Sequence, residues 1–332
     1  MPRQRLPKLP ALFESKLYKT GQTRGADDDE IYQNRVARNN TVLIPYRCWN
    51  SCVVPANNEP AYENGFIVLL SPAEFFGQPN MPSILEQQGL RLGANTLVFY
   101  ETREQWNDKN PEALHWRPAK KRTKPLGGQY VARVPATTAV GGEKIIRGFC
   151  DTSMKGAGIR VYEYASTATI KKCRLQLEAL FWLCQDSDQV AEANGMTREN
   201  IEVRKAAILH ECQEAGLMDS GALTKSRILN ADGKTICPLC LEELSGQGFF
   251  NRMEQAEGRG VPDLTVTQLN LFHIEELRHG VLGHRPYNVG WGHHHCNVVT
   301  RDSGIAKTIK WMRDVVNRNI QQGHFPTWNS AI

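Results

Sequence analysis

The segments CPLC (residues 237–240) and HRPYNVGWGHHHCN (residues 284–297) mark the two ends of a window that is rich in metal-binding side chains. Six of the nine histidines and three of the nine cysteines of the chain fall between residues 235 and 304. Imidazole and thiolate groups are the ligands that transition metals favour in proteins. The clustering therefore predicts a chemical role for this window rather than ordinary packing.

Two pairs of ligands in the window share one spacing. Cys237 and Cys240 are separated by two residues, and His293 and Cys296 repeat that separation later in the chain. Four thiolate and imidazole ligands in such pairs are typical of a tetrahedral structural zinc ion, which has no open position for a substrate water. The two histidines after His293 are alternative ligands, but they lack the two-residue gap. The sequence predicts structural Zn²⁺, with metal-free buried thiols as the alternative.

Length and composition limit the class of protein to which the whole chain can belong. The 332 residues are 41% hydrophobic and 23% charged, as in a globular protein of two or three domains. No apolar run reaches the length of a membrane helix, and the N-terminal sequence MPRQRLPKLP lacks the apolar core of a signal peptide. We therefore expect a cytoplasmic protein with reduced cysteines and no membrane partner. The net charge of +5 is small, so any nucleic-acid signal lies in local basic clusters.

The first 40 residues are predicted to form a basic N-terminal arm. Six lysines and arginines stand against one acid, Glu14, in residues 1–25, and three prolines favour an extended backbone. Such an arm can lie along DNA or embrace a second subunit, and a solvated tail is an equal alternative.

Residues 41–166 alternate short apolar runs with turn signals, which predicts a mixed α/β domain built on a β-sheet. Short helices are expected at residues 72–76 and 82–88. The expected strands are residues 41–46, 66–70, 96–100, 130–134, 144–149 and 159–164.

The densest basic run of the chain lies inside this domain, between Trp116 and Tyr130. Its cations are predicted to contact DNA phosphates, which makes residues 41–166 the expected recognition domain. An ordinary solvated loop is the alternative. The predicted DNA-binding residues are Arg117, Lys120, Lys121, Arg122 and Lys124.

Residues 167–225 are predicted to be helical, with a candidate helix-turn-helix at residues 187–201. Ala191 permits close approach of two helices, Gly195 suits the turn and Ile201 suits the core. The apolar residue expected three positions later is Arg204, so two helices packed as scaffold remain the alternative. Residues 226–332 complete the chain. A hairpin turn at Asp232-Gly233 is expected to lead into Cys237.

The last predicted helix begins near Ser303 and carries a regular apolar stripe. Residues at this spacing fall on one face of a helix, and we expect them to be buried in the core. The stripe consists of Ile305, Ile309, Met312, Val316 and Ile320.

The window at residues 235–304 resembles the HNH nucleases of the zinc-stapled ββα-metal type. His273 matches the first histidine of that motif, Asn288 the middle asparagine and Asn297 the last ligand, which directly follows a knuckle in which His293 replaces a cysteine. The resemblance implies that His273 is the general base, because a neutral imidazole can accept a proton from the attacking water. It also implies that Asn297 ligates one Mg²⁺ (or Mn²⁺) ion and that Asn288 orients the hairpin loop.

One position departs from the HNH pattern. The family usually has an aspartate metal ligand directly before the base, and this chain has Phe272 there. Glu275, Glu276 or His284 is then expected to supply the second ligand; otherwise Asn297 and phosphates hold the ion alone, or the site is inactive. His279 is a weaker candidate for the base and is expected to contact phosphate or to lie exposed on the loop.

The arrangement as a whole is similar to type II restriction endonucleases of the HNH group. The segments at residues 16–50 (KLYKTGQTRGADDDEIYQNRVARNNTVLIPYRCWN) and 284–297 resemble the BstXI-like subgroup. The resemblance implies an α+β fold: an α/β recognition domain, a helical middle segment and a C-terminal nuclease domain. It further implies a bacterial enzyme that cuts double-stranded DNA as a homodimer and leaves 5′-phosphate and 3′-hydroxyl ends.

Other functional classes stay open at this point. A modification-dependent HNH nuclease would need a pocket for a flipped base, and a homing nuclease is a further enzyme alternative. A zinc-stapled regulator without catalysis would use the helix-turn-helix candidate instead. A nuclease toxin fits poorly with so large a folded N-terminal region.

Overall fold

The computed structural model describes residues 5–18, 37–52, 62–136, 145–149, 158–253 and 267–324. The chain divides into two compact units. The sheet unit comprises Lys19–Ala168 and Arg278–Leu282, and the helical unit comprises Met1–Tyr18, Thr169–Leu277 and Gly283–Ile332. The predicted helical middle segment and the predicted nuclease domain therefore share one compact unit, which also includes the start of the chain.

The regular elements have the following bounds. The strands are β1 (Val42–Pro45), β2 (Phe66–Leu70), β3 (Thr96–Tyr100), β4 (Tyr130–Val134), β5 (Ile145–Arg147), β6 (Ile159–Arg160), β7 (Leu269–His273) and β8 (Val289–His293). The helices are α1 (Ala11–Leu17), α2 (Pro72–Phe76), α3 (Met81–Gln87), α4 (Arg103–Asp108), α5 (Thr167–Trp182), α6 (Ser187–Ala193), α7 (Arg198–Glu214), α8 (Ser220–Lys225), α9 (His294–Thr300) and α10 (Gly304–Gln321).

The sheet unit is built on six strands in the order β5-β4-β3-β2-β1-β6. All neighbouring strands run parallel except β4 and β5, which are antiparallel. The central strands are almost continuous apolar runs because a parallel sheet is buried on both faces. Alternate side chains of these strands enter two separate core clusters, for example Val68 and Leu70 in one and Ile67 and Leu69 in the other.

All six strands expected in this unit are present, but three are shorter than predicted: β1, β5 and β6. The expected strand at residues 159–164 stops at Arg160, because Val161–Glu163 forms a 3-10 turn whose Val161 and Tyr162 are buried. Helix α4 was not predicted. The helix begins with a capping box between Thr102 and Gln105. This residue pattern is visible in the sequence and could have predicted the helix.

Residues 9–17 differ from the extended backbone that the prolines favour at the start of the chain. The rest of the arm predicted for residues 1–40 lies mostly outside the described residues, which omit 1–4 and 19–36. Leu9, Phe13 and Leu17 are buried, and the last two lie on helix α1. The Phe13 ring stacks on Phe181 with ring centroids 4.1 Å apart and also contacts Phe249. Apolar side chains four residues apart share one helix face, so residues 9–17 belong to the core of the helical unit.

The helix-turn-helix candidate forms two helices joined by a turn, α6 and α7, and Gly195 adopts a φ of +98° between them. Arg204 takes the place of an apolar residue because its guanidinium forms a nearly buried ion pair with Glu178, at 2.6 Å. The exposed start of α7 carries Glu199 and Glu202 against one arginine, Arg198, so its net charge does not attract DNA phosphates. The charge therefore favours the scaffold interpretation of this pair.

The C-terminal stripe was predicted to be core, and that prediction is wrong for most of its length. Ile305 is 5% exposed, whereas Ile309 and Met312 are each 41% exposed and Val316 is 44% exposed. The 3.6-residue period identifies an apolar face but does not identify what covers it. After its first turn, α10 presents this face to solvent.

Among the residues that the structure describes, no helix combines the length and the apolar character needed to cross a membrane.

Candidate active site and metal centre

The four predicted zinc ligands come together. Donor atoms of Cys237, Cys240, His293 and Cys296 all lie within 4.8 Å of one another. The Sγ atom of Cys240 and the Nδ1 atom of His293 are 3.3 Å apart. A tetrahedral zinc ion with these ligands separates its donor atoms by about 3.5–3.8 Å, so the cluster fits zinc and its donor set suits no alkaline-earth ion.

Local structure explains how the ligands meet. The predicted turn at Asp232-Gly233 is confirmed: an antiparallel bridge joins Leu229 to Thr235, and Gly233 has a φ of +72°. The N–H of Leu241 then donates to the Cys237 carbonyl at 2.9 Å, which closes a tight turn between the two cysteines. His293 ends β8 and Cys296 lies in the first turn of α9, so the cluster joins the β8–α9 corner to the preceding turn.

The electrostatics of the cluster favour a thiolate. Burial raises the pKa of Cys237, but the hydrogen bond with His293 and nearby backbone N–H groups outweigh burial and lower the pKa to about 6. The same hydrogen bond raises the pKa of His293, against the effect of its burial. Burial raises the pKa of Cys240 and of Cys296. A thiolate beside an imidazole is the state in which cysteine binds metals.

The hairpin of β7 and β8 and helix α9 form a ββα arrangement. The two strands are antiparallel, with Leu269 opposite His293 and His273 opposite Val289. His273 is therefore the last residue of β7, directly before the long β7–β8 connection, and it is partly exposed. His284 lies in the connection, is 5% exposed, and places its Nδ1 atom 3.5 Å from Nε2 of His273.

Asn288 fastens the two ends of the β7–β8 connection. Its carboxamide oxygen accepts the N–H of Glu275 at 2.9 Å, and its amide nitrogen donates to the carbonyl of Gly283 at 2.6 Å. The side chain is 1% exposed, so these bonds are shielded from water. The task of orienting the loop beside His273 stays a prediction for Asn288.

Asn297 lies beside the strand that ends at His273. Its amide nitrogen donates to the carbonyl of Leu271 at 3.2 Å. Leu271 and His273 are two residues apart on β7, which corresponds to about 7 Å along a strand. The bond leaves the carboxamide oxygen, which is the metal-binding atom of the group, on the other side of the amide.

The candidates for a second ligand differ in their surroundings. Phe272 is fully buried, and a Cβ atom on Gly292 would lie only 2.6 Å from its ring, so this position belongs to the core. Glu275 pairs with Arg285 and Glu276 pairs with Lys307, each at 2.5 Å. The His284 side chain contacts His273.

The predicted basic run forms a loop beside the start of β4, where Pro118 forms a parallel bridge with Tyr130. Ala119 and Leu126 are buried beneath it, and the N–H of Ala119 donates to the Tyr130 carbonyl at 2.8 Å. Four of its cations are exposed and Arg122 is partly buried; the exposed ones are Arg117, Lys120, Lys121 and Lys124. The flanking aromatic rings, Trp116 and Tyr130, pack against the sheet unit's own aromatic side chains.

The family model described as BstXI restriction endonuclease matches residues 15–294, which is most of the chain. The match includes His273, His284 and the first two cysteine ligands. No curated protein and no solved structure matches the chain. The chain belongs to the BstXI restriction endonuclease family, and it is therefore a type II restriction enzyme, a site-specific nuclease that acts on DNA.

Proposed function

We propose that this restriction enzyme cuts both strands of DNA with an HNH active site. In this proposal His273 is the general base, Asn297 and His284 hold one divalent ion, Asn288 fixes the loop and the cysteine cluster holds structural zinc. The observation that carries it is the ββα arrangement, in which His284 contacts His273 and Asn297 hydrogen-bonds to the strand that ends at His273.

The base must accept a proton from water next to the scissile phosphate. Neutral imidazole does so near neutral pH, and the hydrogen bonds of Asn288 hold the connection that begins directly after His273. The separation of 3.5 Å between the ring nitrogens of His273 and His284 is at the outer limit of a hydrogen bond. Such a contact is weak, so a metal ion can compete with it for the His284 imidazole.

The proposed ligand set affects the choice of metal. A bound divalent ion offsets the charge that develops on the phosphate and on the leaving 3′ oxygen. Asn297 offers a carboxamide oxygen, whereas His284 offers an imidazole nitrogen. Imidazole suits Mn²⁺ and later transition metals better than Mg²⁺. Replacing the usual aspartate by a histidine is therefore expected to shift the metal preference from Mg²⁺ toward Mn²⁺.

DNA is proposed to lie against the basic loop of residues 117–124. Four of its five cations are exposed on a loop that backbone hydrogen bonds hold to the sheet. Exposed lysines and arginines contribute sequence-independent affinity for phosphates. The alternative of a regulator that reads DNA through α7 has less support, because the exposed start of that helix is acidic.

The test is a plasmid digestion over a series of Mn²⁺ and Mg²⁺ concentrations. We expect discrete fragments with 5′-phosphate and 3′-hydroxyl ends from the wild type. His284→Ala and Asn297→Ala are each expected to raise the metal concentration for half-maximal cleavage by more than about 10-fold. The control is His210→Ala, which removes a solvent-exposed histidine of the helical unit. A slower rate at unchanged metal dependence for His284→Ala would assign that residue to orientation of His273 instead of to the metal.

A homodimer is proposed to provide one active site for each strand, with the apolar face of α10 as its contact. Ile309, Met312 and Val316 are spaced by three and four residues, as in the seam of a coiled coil, and they are exposed. A two-fold axis places such a stripe against its own copy. The second copy of this chain is therefore the occupant that we assign to this face.

Met312→Glu is expected to convert the dimer to a monomer, because it places a charge in the middle of the apolar contact. Sedimentation velocity measures the mass directly. Asn317→Glu adds the same charge to the exposed polar side of α10 and should leave the dimer intact. A wild type that is monomeric at the concentrations at which it cuts DNA would exclude this interface.

A further inference from the structure

The six-stranded sheet has a switch point beside β1. Strands β2, β3 and β4 lie on one side of β1, and β6 lies on the other. Strands β1 and β6 pair in parallel, with Val42 opposite Ile159. In open parallel sheets, ligands bind outside the carboxyl ends of the strands at such a point. Arg47 follows the end of β1, and Arg160 ends β6.

His279 joins these two arginines within the sheet unit. Its ring packs on Tyr162 with centroids 5.8 Å apart, and the Arg160 guanidinium lies 6.0 Å from the centroid of the same Tyr162 ring. Burial lowers the pKa of His279, and the positive charges of Arg47 and Arg160 lower it further. The electrostatic potential at His279 is therefore raised by two cations, which is the condition that attracts an anion.

One ring nitrogen of His279 is inaccessible to solvent. Its Nδ1 atom is buried and has no hydrogen-bond partner among the residues that the structure describes. A neutral imidazole carries its proton on one nitrogen only, and a proton on Nδ1 would have no acceptor. The favoured tautomer therefore carries the proton on Nε2, where it can be donated to a ligand oxygen.

Acidic groups limit where an anion can lie. Burial raises the pKa of Glu101, and the charge of Arg47 opposes that effect, so Arg47 is near both Glu101 and His279. Glu101 directly follows β3, two strands away from β1. Glu163 follows β6 and accepts the backbone N–H of Arg160 at 3.4 Å, so an anion is suited to the guanidinium and imidazole groups rather than to the backbone at the strand ends.

We propose that Arg47, Arg160 and His279 form a phosphate-binding site at the carboxyl ends of β1 and β6. The phosphate comes either from the backbone of duplex DNA or from a free nucleotide. His279 belongs to the connection between β7 and β8, which also contains His284 and Asn288. A phosphate held by His279 would anchor that connection. The binding site itself does not depend on the proposed cleavage chemistry.

The experiment uses the full-length protein without added divalent cation, so that cleavage plays no part. Arg47→Gln and His279→Gln are compared with Arg91→Gln. Arg91 is an exposed arginine before the amino end of β3, which is the opposite end of the parallel strands. The Kd for a short duplex of arbitrary sequence is measured by fluorescence anisotropy over a salt series. The His279 ring signals, assigned with His279→Gln, are followed by NMR during titration with the duplex, inorganic phosphate or dAMP.

We expect Arg47→Gln to lower the slope of log Kd against log salt by about 1, because one phosphate contact is lost. Arg91→Gln should keep the wild-type slope. A shift of the His279 signals by the duplex alone assigns the site to the DNA backbone, and a shift by phosphate or dAMP assigns it to a free nucleotide. The proposal is overturned if none of the three probes shifts the His279 signals. It is also overturned if Arg47→Gln and Arg91→Gln have the same salt slope and neither phosphate nor dAMP shifts the His279 signals.

Discussion

His273→Ala is expected to slow DNA cleavage by about 10²–10⁴-fold, the range that a positioned general base contributes. The partly exposed ring ends β7 without filling the core, so its removal should leave the fold intact. The single-turnover rate at saturating metal is the relevant measurement, because it excludes product release. Zinc content, the thermal midpoint and the Kd for duplex DNA should all remain at wild-type values.

The control for this variant is His210→Ala, since His210 is a highly exposed histidine of the same unit. Its cleavage rate should equal that of the wild type. A second comparison separates the base from the metal site: raising the Mn²⁺ concentration should restore part of the His284→Ala rate but none of the His273→Ala rate. An unchanged His273→Ala rate would remove this residue from the chemistry and leave the family assignment in place.

The sheet was predictable because its strands are short, apolar and separated by turn residues. Val68 and Leu69 enter different core clusters, so both faces of β2 are buried and the strand appears as one continuous apolar run. The apolar face of α10 has an equally clear period, yet its burial was predicted wrongly. Periodicity depends on the helix alone, whereas burial depends on what packs against it.

The cluster of three cysteines and one histidine was predictable because each pair of its side chains is local in sequence. The proposal of His284 over the two glutamates required coordinates, because Glu275 and Glu276 are both nearer to His273 in the chain and only the structure shows their ion pairs with Arg285 and Lys307. The proximity of Arg47 and Arg160 could not be predicted from the sequence either. They are far apart in sequence, and only the parallel pairing of β1 with β6 brings them to the carboxyl ends of two adjacent strands.

Loss of the zinc site is expected to destabilise the helical unit more than the loss of any other buried thiol in its core. Structural zinc contributes about 10–16 kcal/mol in small zinc-binding peptides, which is comparable with the whole stability of a domain, about 5–15 kcal/mol. Cys237 and Cys296 are also buried members of the helical unit's core. Cys237→Ser should therefore remove the metal and unfold the β8–α9 corner that carries Asn297.

Cys212→Ser is the matched control, because Cys212 is a fully buried thiol in the same core but lies outside the ligand cluster. Both variants lose one buried sulfur, so the difference between them isolates the metal. We expect one zinc per chain by elemental analysis in the wild type and in Cys212→Ser, and none in Cys237→Ser. The thermal midpoint should fall by a few degrees for Cys212→Ser and by far more for Cys237→Ser, together with loss of cleavage. Equal midpoints for the two variants would mean that the four side chains meet as ordinary core residues without a stabilising ion.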